Sequence, residues 1–146
     1  MTIIQLLAAN RWRPRKAAAD EEIKKLAAAF KIELPRDYEQ LLRESNGCSL
    51  EGFDTPLIIY SIFEVLALFR EHDFYQEIPE VLFFGGDGGG TMYCYDLRAK
   101  NDQGTYDVVF VKEDAGTYDR IFFRSPSLTD VVTRIVNNED LNTEIM

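Results

Sequence analysis

Four short segments rich in β-branched and aromatic residues follow one another between residues 81 and 123, and they constrain the fold more than any other feature. They are Val81–Phe84, Thr91–Leu97, Tyr106–Val111 and Ile121–Phe123. Turn-forming residues at 101–104 and 113–116 separate three of them. Strands joined by such turns form an antiparallel meander. We therefore expect an antiparallel sheet built mainly from residues 81–85, 91–97, 106–112 and 119–123.

Helical patterns lie on both sides of this strand region. Ile23, Leu26, Ala27 and Phe30 fall at the spacing of an amphipathic helix. Similar stripes, with a proline entry or capping boxes, predict four helices, at 20–31, 35–46, 61–73 and 127–137. Residues 56–60 add a short strand. The order predicts an α+β fold with an antiparallel sheet of about four to six strands and helices packed mainly on one side.

A chain of 146 residues is the size of one domain. We expect a single domain over 1–146, with 1–15 as an N-terminal extension and 139–146 as a frayed tail. No stretch reaches the ~18 consecutive apolar residues of a transmembrane helix, and the N-terminal apolar run precedes its basic cluster rather than following it. These features predict a cytoplasmic protein with no membrane association.

The formal charge is −9, and it is concentrated in the middle of the chain. Residues 51–119 hold four basic and fourteen acidic residues, whereas residues 1–50 hold nine basic and seven acidic ones. An acidic segment repels phosphate backbones, which argues against a nucleic-acid ligand. It fits a basic protein partner, although such acids can also serve only to keep a domain soluble.

Candidate catalytic and metal-binding residues are few. Cys48, Cys94 and His72 are the whole complement of cysteine and histidine, and neither cysteine lies in a CxxC pair. No zinc spacing, calcium loop or Cys–His signature is present. We expect a protein that is not an enzyme and has no cofactor or bound metal.

The sequence FFGGDGGG at 83–90 is the most distinctive local motif. It does not continue into the Lys-Ser or Lys-Thr of a Walker loop, and the residues that follow predict a strand rather than a helix. A tight connection between two strands, with positive φ angles and a bulge, explains the glycines better than a phosphate site. We expect structural roles for Gly85, Gly86, Asp87, Gly88, Gly89 and Gly90.

The stretch from Asp20 to Gly47 resembles the opening motif of the SUKH superfamily, which includes the Smi/Knr yeast cell-wall regulators and many bacterial immunity proteins. The resemblance extends through the glycine stretch to the last helix, from about residue 12 to 138. One departure is Gly86, where a Ser or Asn commonly precedes the Asp-Gly step. The matching residues of the opening motif look structural: Leu34, Pro35, Asp37, Tyr38, Asn46 and Gly47.

The resemblance implies a binding scaffold, and in bacteria an antagonist of a polymorphic or contact-dependent toxin. The first hypothesis is an immunity protein, monomeric or weakly dimeric, that binds a basic toxin domain. The alternatives are a Smi/Knr-type regulatory scaffold and a small-ligand binder that uses the glycine stretch. The candidate partner-binding acids are Glu51, Asp54, Glu71, Asp73, Glu77, Glu80, Asp102, Glu113, Asp114 and Asp119. Tyr60, Tyr75 and Tyr118 would be aromatic anchors if they are exposed.

Overall fold

A computed structural model of the chain describes residues 1–113 and 117–141. Within them the helices are α1 (Ile3–Ala9), α2 (Asp20–Phe30), α3 (Arg36–Glu44), α4 (Ile62–Glu71), α5 (Phe74–Glu77) and α6 (Leu128–Val136). The strands are β1 (Arg13–Pro14), β2 (Cys48–Leu50), β3 (Leu57–Ile59), β4 (Val81–Gly86), β5 (Thr91–Asp96), β6 (Val108–Lys112) and β7 (Ile121–Ser125). A 3₁₀ turn, Tyr118–Arg120, precedes β7.

The seven strands form one sheet in the order β1-β2-β3-β4-β5-β6-β7, and every neighbouring pair is antiparallel. This confirms the α+β class and the meander. The strand count exceeds the expected four to six because β1 and β2 were not predicted. They have only two and three residues. Segments this short carry too little alternation to be recognised from sequence.

The buried strands β4, β5 and β6 separate two packing faces. Cys94 and Tyr95 are consecutive on β5 and therefore point to opposite faces. Tyr95 packs against Phe84 and against Tyr38 of α3, with ring centroids 4.9 and 5.5 Å apart. Phe83 lies opposite Cys94 in the register, and it contacts Phe74 of α5 on the other face. Helix α3 thus covers one face, while the four-residue α5 covers part of the other.

The first fifteen residues differ from the expected extension, because they are built into the fold. Thr2 and Gln5 form a capping box that starts α1. Ile3 and Leu7 are buried in the common core, and α1 contacts both α3 and α6. Arg13 then pairs with Ser49 at the sheet edge.

The end of the chain is also attached as far as the structure describes it. Leu141 is buried, and its N–H donates to the Thr55 hydroxyl at 2.8 Å. The Thr55 hydroxyl in turn donates to the carbonyl of Glu139. The rest of the expected frayed tail, residues 142–146, lies outside the described residues.

Two other boundaries differ from the predicted ones. The helix expected at 61–73 ends at Glu71, and α5 is a separate turn. The His72 backbone between them is extended, and its ring Nδ1 accepts from the Phe74 N–H at 3.0 Å. The last strand starts at Ile121 rather than at 119, because residues 118–120 form the 3₁₀ turn.

Candidate functional site

The Leu-Pro-x-Asp-Tyr segment fixes the start of α3 against the start of α6. Leu34, Pro35 and Tyr38 are buried. Asp37 Oδ2 accepts hydrogen bonds from the N–H and the hydroxyl of Thr129, at 2.8 and 2.7 Å, while Oδ1 accepts from the Tyr38 N–H at 2.9 Å. A carboxylate at a helix N-terminus is favoured by the helix dipole, so Asp37 acts as a cap for α6 supplied by another helix.

The Asn-Gly pair joins the end of α3 to the start of α4. Asn46 Oδ1 accepts from the N–H of Ile62, the first residue of α4, at 2.8 Å. Gly47 has φ +91°, and a Cβ there would lie 2.7 Å from the carbonyl oxygen of Ile59. Glycine is therefore required at position 47 for two reasons, the left-handed backbone and the close approach of β3.

The glycine stretch connects β4 to β5, and contacts within the loop itself hold its shape. Asp87 Oδ1 accepts from the N–H groups of Gly89 and Thr91, at 2.7 and 3.0 Å. Gly88 and Gly90 have positive φ angles, and a Cβ on Gly85 would overlap the carbonyl oxygen of Ile58. The register shifts between Phe83 and Gly85, which is the expected bulge. These contacts support a structural role, which remains a prediction.

Six of the ten candidate acids belong to segments that the fold brings together around α5. His72 Nε2 lies 3.0 Å from a carboxylate oxygen of Glu113, which joins the end of α4 to the end of β6. The Glu80 N–H donates to the hydroxyl of Tyr118 at 2.8 Å, which joins the start of β4 to the 3₁₀ turn. We call these six residues the acidic surface: Glu71, Asp73, Glu77, Glu80, Glu113 and Asp119.

All six side chains of the acidic surface are exposed. Within the described residues, none of them forms an ion pair with lysine or arginine, and Glu113 alone contacts a titratable base, His72. The acids outside this surface differ in that respect, since several form ion pairs with arginine. The acidic surface is therefore a region of negative charge that its own chain leaves largely uncompensated.

Three of the other four candidate acids lie elsewhere in the fold. Glu51 follows β2 and forms an ion pair with Arg13 at 3.5 Å. Asp54 lies in the next loop, beside Asn138, and Asp102 lies in the turn between β5 and β6. Asp114 lies outside the described residues.

The three candidate aromatic anchors differ in exposure. Tyr75 is buried, and its hydroxyl accepts from the Phe83 N–H, so it belongs to the core rather than to a contact surface. Tyr60 is half-buried against Phe83. Tyr118 is half-buried within the acidic surface, where its ring lies 4.0 Å from the guanidinium carbon of Arg98.

The sequence analysis missed one exposed aromatic residue, Phe63, which is 74% exposed on α4. Ile62, Val65 and Leu66 form the buried stripe of this helix. Their spacing predicts that Phe63 is exposed, because a residue that directly follows Ile62 is rotated about 100° away from the stripe.

Asp96 at the end of β5 is the acid most strongly engaged with bases. It is 5% exposed, and its carboxylate accepts from Arg98 and Arg124 at 2.9–3.0 Å. Burial would raise the pKa of Asp96, but the two guanidinium groups outweigh it and lower the pKa to about 2. Arg124 also binds Asp107. This network holds β5, β6 and β7 together beside Tyr118.

The model of the SMI1 / KNR4 family (SUKH-1) matches residues 17–134, which include both the helix motif and the acidic surface. The chain belongs to this family. The resemblance first inferred from the stretch Asp20 to Gly47 is thereby confirmed. No curated protein matches the chain closely enough to count as a relative.

The SUKH-1 domain places both cysteines in its core. Burial raises the pKa of Cys48 to about 12 and raises that of Cys94 well above its ordinary value. Neither thiol is therefore primed as a nucleophile. Among residues 1–113 and 117–141, no three His, Cys, Asp or Glu side chains cluster in a way that could hold a metal ion. Across the same residues no helix is both long and apolar enough to cross a membrane.

Proposed function

We propose that this SUKH-1 protein is a cytoplasmic immunity protein that neutralises a cognate toxin by binding a basic toxin domain directly, without catalysis or a cofactor. The observation that carries the proposal is the acidic surface. Its six exposed carboxylates lie within residues 71–80 and at positions 113 and 119, and no lysine or arginine in the described residues pairs with them. Family membership supports the same role.

Electrostatics determine what such a surface would contribute. Uncompensated charge of one sign attracts a partner of opposite sign over a distance and raises the association rate. Exposed charges contribute less to the final affinity than buried aromatic contacts do. The acidic surface would therefore select and orient the toxin, and the bound protein would block the toxin's active site.

Tyr118 is the aromatic residue best placed to anchor such a partner. It is half-buried, and it lies between the Glu80 backbone and the Arg98 side chain. Asp96 holds Arg98 from the other side. A tyrosine fixed in this way can bury area against a partner at little cost in side-chain entropy.

A Smi/Knr-type regulatory scaffold is the second candidate, because the same family match supports it. That protein would bind a cellular partner other than a toxin. The two candidates differ in one outcome, since only an immunity protein protects a cell from the product of a neighbouring toxin gene.

Co-expression tests the proposal. The product of the adjacent reading frame is expressed in a host with and without this protein, and we expect it to arrest growth alone and to permit growth when the protein is present. Growth arrest in both cases would contradict the immunity role. Protection by the triple variant Glu77→Lys, Glu80→Lys and Asp119→Lys should be weaker than that by wild type.

A matched control carries the same charge change outside the acidic surface, in the variant Glu44→Lys, Asp54→Lys and Asp102→Lys. All three acids are exposed. Each triple variant moves the formal charge from −9 to −3, since every reversal adds two charges. Equal loss of protection in both variants would mean that total charge matters and the acidic surface does not.

A further inference from the structure

A groove of ≈ 540 Å³ lies between the start of α3, the hairpin that joins β5 to β6, and the start of α6. Leu34, Pro35 and Arg36 form one wall, while Lys100 and Tyr106 form part of the other. We call it the hairpin groove. Its volume is within the range of small-molecule sites, roughly 300–1,000 Å³. It is separate from the acidic surface, since no member of that surface lines it.

A buried hydroxyl without a partner lies at the groove. Tyr95 belongs to the lining, yet the residue is fully buried and its hydroxyl makes no hydrogen bond within the described residues. Burial, and then the nearby Asp37 carboxylate, raise the pKa of Tyr95, so the hydroxyl stays protonated and can donate. An unpaired buried hydroxyl destabilises the fold, and a ligand oxygen that accepts from it would remove that cost.

Two cations on the groove walls also lack partners. Arg36 and Lys100 are exposed and form no ion pair in the described part of the chain, whereas six arginines there are bound to acids. Asp37 also lines the groove, but it forms no ion pair with either cation within the described residues, and its Oδ2 already accepts two hydrogen bonds from Thr129. Cations without an ion pair that line the same groove as a hydroxyl donor are suited to an anionic oxygen group.

The hairpin wall is rigid before any ligand arrives. Asn101 Oδ1 accepts from the N–H groups of Gln103 and Thr105, and its Nδ2 donates to Asp107 and to the Pro126 carbonyl. These bonds fasten the turn to the chain just before α6. A preorganised wall loses little entropy on binding.

From these observations we propose that the hairpin groove binds a single carboxylate group, held by Arg36 and Lys100 with the Tyr95 hydroxyl as a further donor. Glu33 is on the same rim and carries its own negative charge. It disfavours ligands with several negative charges, such as phosphates. The carboxylate can belong to a small organic acid or to the C-terminus of a peptide.

Titrations followed by NMR of the ¹⁵N-labelled full chain test this site. The probes are sodium acetate, an acetyl-capped tetra-alanine with a free C-terminus, the same peptide amidated, and inorganic phosphate. We expect the free-acid peptide to shift signals of the groove residues and the amide and phosphate to leave them unchanged. Acetate binding as tightly as the free-acid peptide identifies a small acid, and binding of the peptide alone identifies a peptide terminus. Equal binding of the acid and amide peptides, or no binding by either carboxylate probe, would overturn the proposal.

Variants assign the contacts. Arg36→Gln and Lys100→Gln should each weaken binding of the carboxylate probe about tenfold, the loss expected for one charge-assisted hydrogen bond. Tyr95→Phe should also weaken it while leaving the unfolding temperature unchanged or higher, since the lost hydroxyl had no partner. Arg70→Gln is the matched control, because Arg70 is exposed on α4, away from the groove. Unchanged affinity in Arg36→Gln and Lys100→Gln would contradict the assignment, as would an equal loss in Arg70→Gln.

Discussion

The motif region around α3 and the acidic surface around α5 use polar and special residues in opposite ways. In the motif region, Asp37 Oδ2 and the Asn46 amide oxygen accept backbone N–H groups of neighbouring helices, and Gly47 fits against β3. Around α5 the carboxylates are exposed and meet no lysine or arginine of the described residues. The bonding environment of these residues, rather than their type, therefore separates the scaffold from the proposed contact surface.

The largest effect is expected at Gly47. Gly47→Ala should cost about 1–2 kcal/mol for the left-handed backbone and about 1–3 kcal/mol more for the clash with the Ile59 carbonyl. Gly52→Ala is a matched control, because Gly52 has nearly the same φ, +90°, with no atom within 4 Å of the added Cβ. Urea unfolding measures both. Equal losses of unfolding free energy in the two variants would show that Gly47 is needed for its backbone angle alone.

Asp96 should follow in size. Asp96→Ala leaves Arg98 without its carboxylate and deprives Arg124 of one of its two, and it should lower the free energy of unfolding by about 3 kcal/mol. Asp119→Ala, which removes an exposed acid of the acidic surface, should change it by less than about 0.5 kcal/mol. If the two variants were equally stable, acids paired with arginine would stabilise the fold no more than exposed, unpaired acids do.

Asp96 should also contribute to the loss of stability at low pH. The folded pKa of Asp96, about 2, lies below its unfolded value, so its stabilisation is complete above about pH 4. That stabilisation is lost as the pH falls through about 2. The gap in unfolding free energy between wild type and Asp96→Ala should therefore narrow from pH 5 to pH 2. A gap that stays constant over this range would refute the role of the two arginines.

A smaller effect is expected at Asp37. Asp37→Ala removes the acceptor for three hydrogen bonds, two of them from Thr129 in the first turn of α6, and it should cost about 2 kcal/mol. Asp73→Ala is the comparison in the acidic surface and should be nearly neutral. Thermal unfolding of both variants measures the difference. If Asp37→Ala destabilised the protein no more than Asp73→Ala does, Asp37 would not hold α6.

Periodicity and capping patterns predicted the parts of the fold that are long enough to show them. Helices α2, α3 and α6 start and end within about two residues of their predicted bounds. Helix α1 was missed because seven residues give barely two turns, although Thr2 and Gln5 have the spacing of a capping box. The very short β1 and β2 are fixed by their strand partners rather than by their own sequence.

The candidate site was predictable only in part. The excess of acids in residues 51–119 indicated a negative surface, but not which acids share it. Contacts distant in sequence decide that, such as His72 with Glu113 and Glu80 with Tyr118. The same long-range packing buries Tyr75, which the local pattern does not show, whereas the buried stripe of α4 already places Phe63 on the exposed side of the helix.

The smallest expected effect on stability belongs to the acidic surface. The triple variant Glu77→Lys, Glu80→Lys and Asp119→Lys should unfold within about 0.5 kcal/mol per substitution of wild type, because exposed charges contribute little. Urea unfolding checks this before any binding experiment. A loss of several kcal/mol would place these residues in the scaffold instead.

The association rate with the proposed toxin partner, measured against ionic strength, shows whether the acidic surface guides binding. For wild type we predict a rate that falls roughly tenfold or more from low to physiological salt. The triple variant of the acidic surface should associate more slowly and with a weaker salt dependence, while the control variant Glu44→Lys, Asp54→Lys and Asp102→Lys should remain closer to wild type. A wild-type rate that does not change with salt would contradict the account.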